Sequence, residues 1–197
     1  LVFGRRGPLQ AAFSPKEIKE IAELAGSDLV VRPEEAELDP VSREDFAKGV
    51  EVPARQNVEF LLEHAKRGEG SNPKKVRLRL LASPVELLGE GGKVSAVRIE
   101  RNGLARGEDG DVRARGSGQL ETFPVGLVFR SVGYFGVPIP GVSFDAKKGR
   151  IPNEGGRVRD AGSGAPLPGE YVVGWAKRGP SGLIGTNRAD SSATVEA

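Results

Sequence analysis

Residues 171–187 read YVVGWAKRGPSGLIGTN. A short apolar strand at residues 171–173 leads past Trp175, the only tryptophan, into a basic, glycine-rich turn. We predict a helix from about Leu183. The backbone N–H groups of the turn and the positive end of the helix dipole would then lie together at the start of this helix. Such a place suits an anion or an electron-rich ring. An ordinary strand-to-helix connection is the structural alternative, and the combination of Trp175 with Lys177 and Arg178 favours a binding site.

The bulk composition narrows the function classes. The chain has 197 residues, enough for one domain or for one domain and part of another. Lys and Arg total 29 and Asp and Glu total 27, and no basic block indicates a nucleic-acid partner. No apolar run reaches transmembrane length, so we predict no membrane insertion. Zero Cys excludes disulfides and thiolate metal sites, and the lack of a signal-like start predicts a cytoplasmic protein.

The two ends of the sequence lead us to expect a fragment of a longer protein. The chain opens on apolar residues 1–3, in the middle of a predicted strand, and it contains no Met. It stops at residues 193–197 in the pattern of an unfinished helix.

A pair of arginines follows the first predicted strand. Arg5 and Arg6 stand between two glycines directly after apolar residues 1–3. In dinucleotide-binding folds the end of the second strand meets the adenosine ribose, where an acid holds the 2′-hydroxyl and an arginine accommodates a 2′-phosphate. A guanidinium suits phosphate because it forks two N–H groups toward it and stays charged. The pair therefore predicts a preference for NADP over NAD, with a solvated surface pair as the alternative.

The next segment predicts a helix with a strong start signal. Ser14 can cap, Pro15 fits the first helical position, and Glu17 completes a Ser-x-x-Glu capping box. Glu17 either only caps the helix or also accepts a hydrogen bond from a ligand. A strand at residues 28–31 follows, so the segment predicts the strand–helix–strand unit of an α/β sheet.

The middle of the chain predicts a second helix and several strands. His64 lies on a helix at residues 57–67 beside Glu63 and Lys66, and we predict a solvated residue without a role. Alternation of apolar and polar residues indicates a meander of antiparallel strands. We place these strands at residues 75–81, 85–88, 94–100 and 120–123. A buried strand is predicted at residues 126–134, followed by a linker at 137–141.

Several segments resemble the NADPH-dependent adrenodoxin reductase family, which includes bacterial ferredoxin–NADP reductases of the same type. The first segment, GRRGPLQAAF at residues 4–13, and the last, GWAKRGPSG at residues 174–182, are long and specific. Shorter matches lie between them in the family's order. They are at residues 16–17, 83–84, 126–134, 149–153 and 156–158.

The resemblance implies an α/β fold: the FAD/NAD(P)-binding three-layer (ββα) fold of a two-dinucleotide-binding flavoprotein, here a fragment. Residues 1–133 would be an NADP-binding domain lacking its first βα unit. Residues 134–197 would be the returning C-terminal segment of the FAD-binding domain. The implied reaction is hydride transfer from NADPH to FAD, followed by single-electron steps to a ferredoxin-like iron–sulfur protein.

The family's NADP-contacting residues can be carried over to three positions. Arg5 and Arg6 match the pair that holds the 2′-phosphate, and Glu17 matches a glutamate that contacts NADP. These positions agree with the interpretation reached from the residues themselves, which rests on guanidinium chemistry at the end of a strand.

Four positions match residues that contact the flavin. Trp175 matches a flavin-contacting tryptophan. The backbone run at the flavin is matched by Gly182, Leu183 and Ile184, of which Gly182 also touches NADP. A helix that begins there would favour negative charge on the reduced flavin ring.

The sequence departs from the family pattern in two informative places. The glycine-rich FAD motif and the glycine-rich phosphate loop of the NADP domain would both lie before Leu1, so we expect the isolated fragment to be inactive. Residues 55–57, Arg-Gln-Asn, stand where animal members carry a basic cluster for their acidic partner. The identity of the electron acceptor therefore stays open.

Two other functions remain possible from the sequence. A flavoprotein of the glutamate synthase small-subunit type would predict a Cys-rich iron–sulfur domain upstream and a turn that lacks Trp175. A non-catalytic nucleotide-binding module would predict a genuine start of translation at Leu1. Disulfide-reductase relatives are disfavoured because their matching turn carries an acid in place of Trp175.

Overall fold

The computed structural model describes residues 1–182 and 184–196. The chain forms two compact units, Leu1–Val128 and Phe129–Ala197. Each unit is described by itself below. The predicted boundary between an NADP-binding and an FAD-binding part, after residue 133, stays a prediction.

The first unit is built on a three-stranded parallel sheet. Its strands are β1 (Val2–Phe3), β2 (Ser27–Val31) and β3 (Lys74–Arg79), in the order β1-β3-β2. The strand–helix–strand prediction is confirmed. The assignment of residues 75–81 to the antiparallel meander is wrong, because β3 pairs in parallel with both neighbours. Alternation reveals which face of a strand is buried, and it carries no information about the direction of the neighbouring strands.

Four α-helices lie in this unit, and each has a proline at its first or second position. They are α1 (Pro15–Ala22), α2 (Pro33–Ala36), α3 (Pro40–Lys48) and α4 (Val52–Ala65). The capping box of α1 is confirmed, and Asp39 caps α3 by accepting hydrogen bonds from two backbone amides. Helices and sheet enclose one apolar core. Its buried members are Ile18, Leu29, Val31, Ala36, Leu61, Leu78 and Leu80.

His64 on α4 is buried, which corrects its predicted solvent exposure. Its side chain lies with Leu61 on the face of α4 that packs on the core, while Glu63 points to solvent. The imidazole is 5.4 Å from the Phe60 ring, and its Nε2 lies 2.8 Å from the carbonyl oxygen of Leu29. The charged neighbours in sequence misled the prediction, because residues one position apart on a helix face different directions.

The second sheet of this unit is antiparallel, as the meander pattern predicted for its strands. It consists of β4 (Ala82–Glu90), β5 (Lys93–Arg106) and β6 (Val112–Pro124). A register shift between Glu100 and Asn102 interrupts the β5–β6 ladder. The far part of the hairpin, from Asn102 through the turn to Gly116, then continues as a separate ladder. A small core of Ala82, Val97 and Ile99 underlies the sheet.

A buried network of charges joins the two sheets. The Glu35 carboxylate is 1% exposed and accepts hydrogen bonds from Arg79 Nε at 2.7 Å and from Arg101 Nη1 at 3.0 Å. Its other oxygen accepts from the Leu80 amide at 2.5 Å. Arg79 also donates to Glu121 at 3.1 Å. Every member of this network has a partner, as buried charges require.

In its described residues, the second unit contains three short strands and two helices. The strands β7 (Asn153–Glu154), β8 (Arg157–Arg159) and β9 (Pro166–Tyr171) form an antiparallel sheet, and α5 (Gly174–Arg178) and α6 (Ile184–Glu196) follow. Its core is made of Ile151, Val158 and Val172. No helix among the described residues is long and apolar enough to cross a membrane.

The buried strand predicted at residues 126–134 is absent. These residues have no regular secondary structure, and Leu127, Phe129 and Val132 are 68%, 83% and 83% exposed. A β-strand requires a neighbouring strand for its backbone hydrogen bonds, and no strand pairs with this stretch in the described part of the chain. Apolar composition alone therefore does not produce a strand here.

Candidate functional site

The backbone of the Arg5–Arg6 pair is held firmly at the end of β1. Gly4 continues the ladder by donating to the Arg79 carbonyl at 2.8 Å. The Arg6 carbonyl accepts from the Leu81 amide at 3.2 Å, and the Arg5 carbonyl accepts from Asn102 Nδ2 at 2.8 Å. The two arginine backbones are thus fixed by both sheets of the first unit.

The side chains of Arg5 and Arg6 project into a surface cavity of about 550 Å³. Both side chains are exposed. In residues 1–182 and 184–196 neither guanidinium has an ion-pair or hydrogen-bond partner. The cavity is lined by Arg5, Arg6, Gln10, Asp111, Val112, Arg113 and Ala114. Two uncompensated guanidinium groups at one cavity form a ready site for an anion such as a phosphate.

Asn102 is a residue of this site that the sequence analysis missed. Its side chain is 9% exposed and donates to the Arg5 carbonyl and to Ser83 Oγ, each at 2.8 Å. The backbone N–H of Asn102 donates to the Leu81 carbonyl at 2.8 Å. In the sequence, Asn102 is visible only as an amide side chain within a stretch of alternating residues. That pattern does not reveal which distant carbonyl the side chain reaches.

Glu17 is engaged in capping. Its Oε2 accepts from the Ser14 amide at 2.6 Å, and the Ser14 hydroxyl in turn accepts from the Glu17 amide at 3.3 Å. The bond from the Ser14 backbone is the main cause that lowers the pKa of Glu17, with the Ser14 side chain second. Glu17 is not among the residues that line the Arg5–Arg6 cavity. Its contact with NADP stays a prediction.

Trp175 lies on α5 in the second unit. The strand predicted at residues 171–173 lies earlier in the chain, because β9 ends at Tyr171. Gly174, with a φ of 65°, begins the five-residue helix, and Gly179, with a φ of 91°, follows it. The indole is 44% exposed and lies 5.6 Å from the ring of Tyr134, with the rings tilted by 34°. The pair presents an exposed aromatic surface.

The two basic residues of the turn are not free to attract an anion, which corrects their predicted contribution. The Lys177 side chain is 14% exposed, and its Nζ lies 2.9 Å from Asp190 Oδ1 and 2.8 Å from Thr194 Oγ1. Arg178 donates to the Asn187 side chain and to the Ser181 carbonyl. Both side chains therefore tie α5 to α6 and to the turn between them.

Asp190 is the centre of these contacts, and no local sequence pattern indicated it. Its Oδ2 accepts from the Gly174 amide, at the start of α5, at 2.7 Å. The hydrogen bond from Lys177 is the main cause that lowers the pKa of Asp190, and the Gly174 amide adds to it. Asp190 thus fixes the helix that carries Trp175.

Replacing Asp190 with asparagine should loosen α5 at neutral pH. Because the folded-state pKa is lowered, the carboxylate stabilises the fold above the ordinary aspartate pKa of about 4, and this stabilisation is lost as the pH falls through the lower folded value. Trp175 fluorescence against pH should show an acid transition in the wild type that is reduced in Asp190→Asn; a remainder is expected because the pKa values of Asp145 and Asp160 in the same unit are also lowered. Glu170→Gln is the matched control, since Glu170 is exposed on β9. An unchanged acid transition in Asp190→Asn would contradict this role.

The turn after α5 leads directly to the start of α6. Gly182 has a φ of 78°, and a Cβ there would lie 2.9 Å from Thr186 Oγ1, so the position favours glycine. The helix begins at Ile184, which confirms the predicted helix start to within a residue. Leu183 lies outside the described residues. The flavin contacts assigned to Gly182, Leu183 and Ile184 stay predictions.

Comparison with known proteins supplies relatives along the full chain. The sequence is 45% identical over 196 residues to NADPH-ferredoxin reductase FprA of Mycobacterium tuberculosis, covering 100% of this chain and 41% of that protein. It is 38% identical over 202 residues to human mitochondrial NADPH:adrenodoxin oxidoreductase, covering 97% of this chain and 39% of that protein. The chain thus spans about two fifths of the curated relatives it matches. No protein-family model matches it.

Solved structures agree with the sequence comparison. Mycobacterium tuberculosis FprA in complex with NADPH superposes with a TM-score of 0.86 over 98% of this chain and 40% of that one, at 45% identity. A point mutant of FprA from Mycobacterium tuberculosis gives a TM-score of 0.84. The resemblance and the fold class predicted above are therefore confirmed: the chain has a FAD/NAD(P)-binding α/β fold and is a homologue of the NADPH-ferredoxin and NADPH:adrenodoxin reductases.

Proposed function

We propose that this chain is part of a flavoprotein oxidoreductase that passes electrons from NADPH through FAD to a ferredoxin-type iron–sulfur protein. The observation that carries the proposal is the pair of guanidinium groups of Arg5 and Arg6 at the end of a parallel strand, which have no partner among the described residues. It occurs in a chain 45% identical to a reductase solved with NADPH. The proposed location is the cytoplasm, on the compositional grounds given above.

The residues of the first unit fit the 2′-phosphate of NADP. A phosphate monoester carries about 1.5 to 2 negative charges near neutral pH, which two arginines match. Arg5 and Arg6 bind by forked, charge-assisted hydrogen bonds, and Asn102 holds the Arg5 backbone in place. The role of this pair is to orient the nucleotide and to discriminate against NADH, which offers a neutral hydroxyl at the same position.

The residues of the second unit fit a flavin ring. Trp175 and Tyr134 offer an exposed aromatic surface, and α6 begins close by in sequence at Ile184. When bound, FAD accepts a hydride from NADPH and releases single electrons to a one-electron carrier. Trp175 packs against the ring and excludes water, while the start of α6 directs its positive dipole toward added negative charge. Asp190 keeps α5 in place for this task.

The acceptor is proposed by analogy with relatives whose names specify ferredoxin or adrenodoxin. In residues 55–57 the structure leaves little for a basic docking cluster. Asn57 is 2% exposed and donates to the Phe13 carbonyl at 2.7 Å, and the Arg55 guanidinium lies over the Phe46 ring at 4.8 Å. A ferredoxin that relies on other contacts is therefore the proposed partner. Trp175 disfavours the glutamate synthase small-subunit alternative.

The test uses the longest native protein that contains this chain. The purified protein should release FAD on denaturation, and NADPH should support reduction of a ferredoxin far better than NADH does. Bound FAD with equal use of both nucleotides would refute the assigned role of the Arg5–Arg6 pair. Absence of flavin after reconstitution with FAD would refute the oxidoreductase and favour the nucleotide-binding module.

A further inference from the structure

The cavity lined by Arg5 and Arg6 is also lined by the β5–β6 hairpin. Four of its seven lining residues, Asp111, Val112, Arg113 and Ala114, come from this hairpin. Arg113 adds a third guanidinium group to the lining, and Asp111 is the only carboxylate in it. The cavity therefore has a surplus of positive charge contributed by two separate parts of the first unit.

The far part of the hairpin is anchored, so Arg113 is presented from a fixed support. Arg106 Nη2 lies 2.6 Å from Asp45 Oδ1 on α3. Asn102, where the far ladder begins, donates to the Arg5 carbonyl at 2.8 Å. The same asparagine thus ties the hairpin to the arginine pair, and a shift of one would be transmitted to the other.

Arg113 keeps donors available for a ligand. Its Nη2 pairs with Asp109 in the turn, and Asp109 also accepts from the Asp111 amide at 3.2 Å. A guanidinium carries five N–H donors, so this one pairing leaves other donors available to a ligand. The Arg113 side chain is 56% exposed, which leaves it accessible to a ligand.

We propose that Arg113 is a further specificity-determining residue, which binds the same phosphate monoester as Arg5 and Arg6 from the hairpin that lines the same cavity. This inference rests on the proposed NADP site. A doubly charged phosphate has more acceptor positions than two arginines fill, so a third guanidinium adds binding energy. A nucleotide without the 2′-phosphate gains nothing from it.

Titration calorimetry on the longest native protein tests this, with 2′,5′-ADP and 5′-AMP as probes. Arg113→Ala should weaken 2′,5′-ADP by about three- to tenfold, the scale of a half-exposed charge-assisted contact, and leave 5′-AMP within about twofold. Arg115→Ala is the matched control two positions along the same strand, outside the cavity lining. Asp111→Asn should tighten 2′,5′-ADP, because it removes the opposing carboxylate.

The variants distinguish a failure of this inference from a failure of the proposed function. If Arg113→Ala behaves like Arg115→Ala while Arg5→Ala/Arg6→Ala loses 2′,5′-ADP selectively, the role of Arg113 is overturned and the NADP site stands. If the double variant binds both probes as the wild type does, the site itself fails and the inference with it. Equal weakening of both probes by Arg113→Ala would also overturn the inference, since it would indicate a general charge effect.

Discussion

Replacing Arg5 and Arg6 together with alanine should weaken NADPH binding by about two to four orders of magnitude. Charge-assisted hydrogen bonds contribute about 1.5–3 kcal/mol each, and each 1.4 kcal/mol is about tenfold in affinity. Neither side chain has a partner in the described part of the chain, so their loss leaves no buried group unsatisfied and the fold should be unaffected. Steady-state kinetics with NADPH and NADH on the longest native protein provide the measurement.

The comparison between the two nucleotides decides how this result is interpreted. NADH use should be nearly unchanged, since its neutral hydroxyl gains little from the pair. Arg5→Lys/Arg6→Lys keeps both charges and loses the forked geometry, so we expect an intermediate loss. An equal loss for NADPH and NADH would show that the pair does not hold the 2′-phosphate.

Replacing Glu35 with alanine should destabilise the first unit by about 3–5 kcal/mol, the cost of removing one partner from a buried ion pair. The carboxylate is 1% exposed and serves two arginines and the Leu80 amide. Without it, the charge of Arg79 is shared with Glu121 alone, at 3.1 Å. Urea unfolding followed by far-ultraviolet circular dichroism gives the change, because the only tryptophan lies in the second unit.

The neighbouring residue offers a close control. Glu34 is 60% exposed, and its ion pair with Arg32 is long at 3.8 Å. Glu34→Ala should therefore lower the free energy of unfolding by between zero and about 1 kcal/mol. Glu35→Gln keeps the shape and part of the hydrogen bonding and should fall between the two alanine variants. Similar unfolding midpoints for Glu34→Ala and Glu35→Ala would show that the buried network does not stabilise the unit.

Local signals predicted the fold where neighbouring residues suffice to determine structure. The capping box at Ser14 and Glu17 specified the start of α1, because both hydrogen bonds close within four residues. The apolar stretch at residues 126–134 failed as a strand because pairing depends on a distant neighbour. Strand β3 was predicted, but its parallel pairing with β1 and β2 was not, since its alternation shows only which face is buried.

The residues of the candidate site also fall into those that a local pattern could predict and those that it could not. Arg5 and Arg6 could be selected from sequence, because a strand end followed by glycine and arginine carries its own chemical logic. Asn102 and Asp190 could not, because each acts through a hydrogen bond to a backbone group far along the chain: Arg5 and Gly174. Lys177 was wrongly selected as a free cation for the same reason: its partner Asp190 lies 13 residues away, beyond any local pattern.

The buried network at Glu35 also bears on how the first unit opens. A carboxylate shared between Arg79 of the parallel sheet and Arg101 of the antiparallel sheet makes separate unfolding of either sheet costly, because the sheet that remained would keep a buried, uncompensated charge. Local opening that spares this contact remains inexpensive, for example at the hairpin turn near Asp109. The two sheets should therefore behave as a single cooperative folding unit, with amide hydrogens in β3 and β5 exchanging through the same opening event.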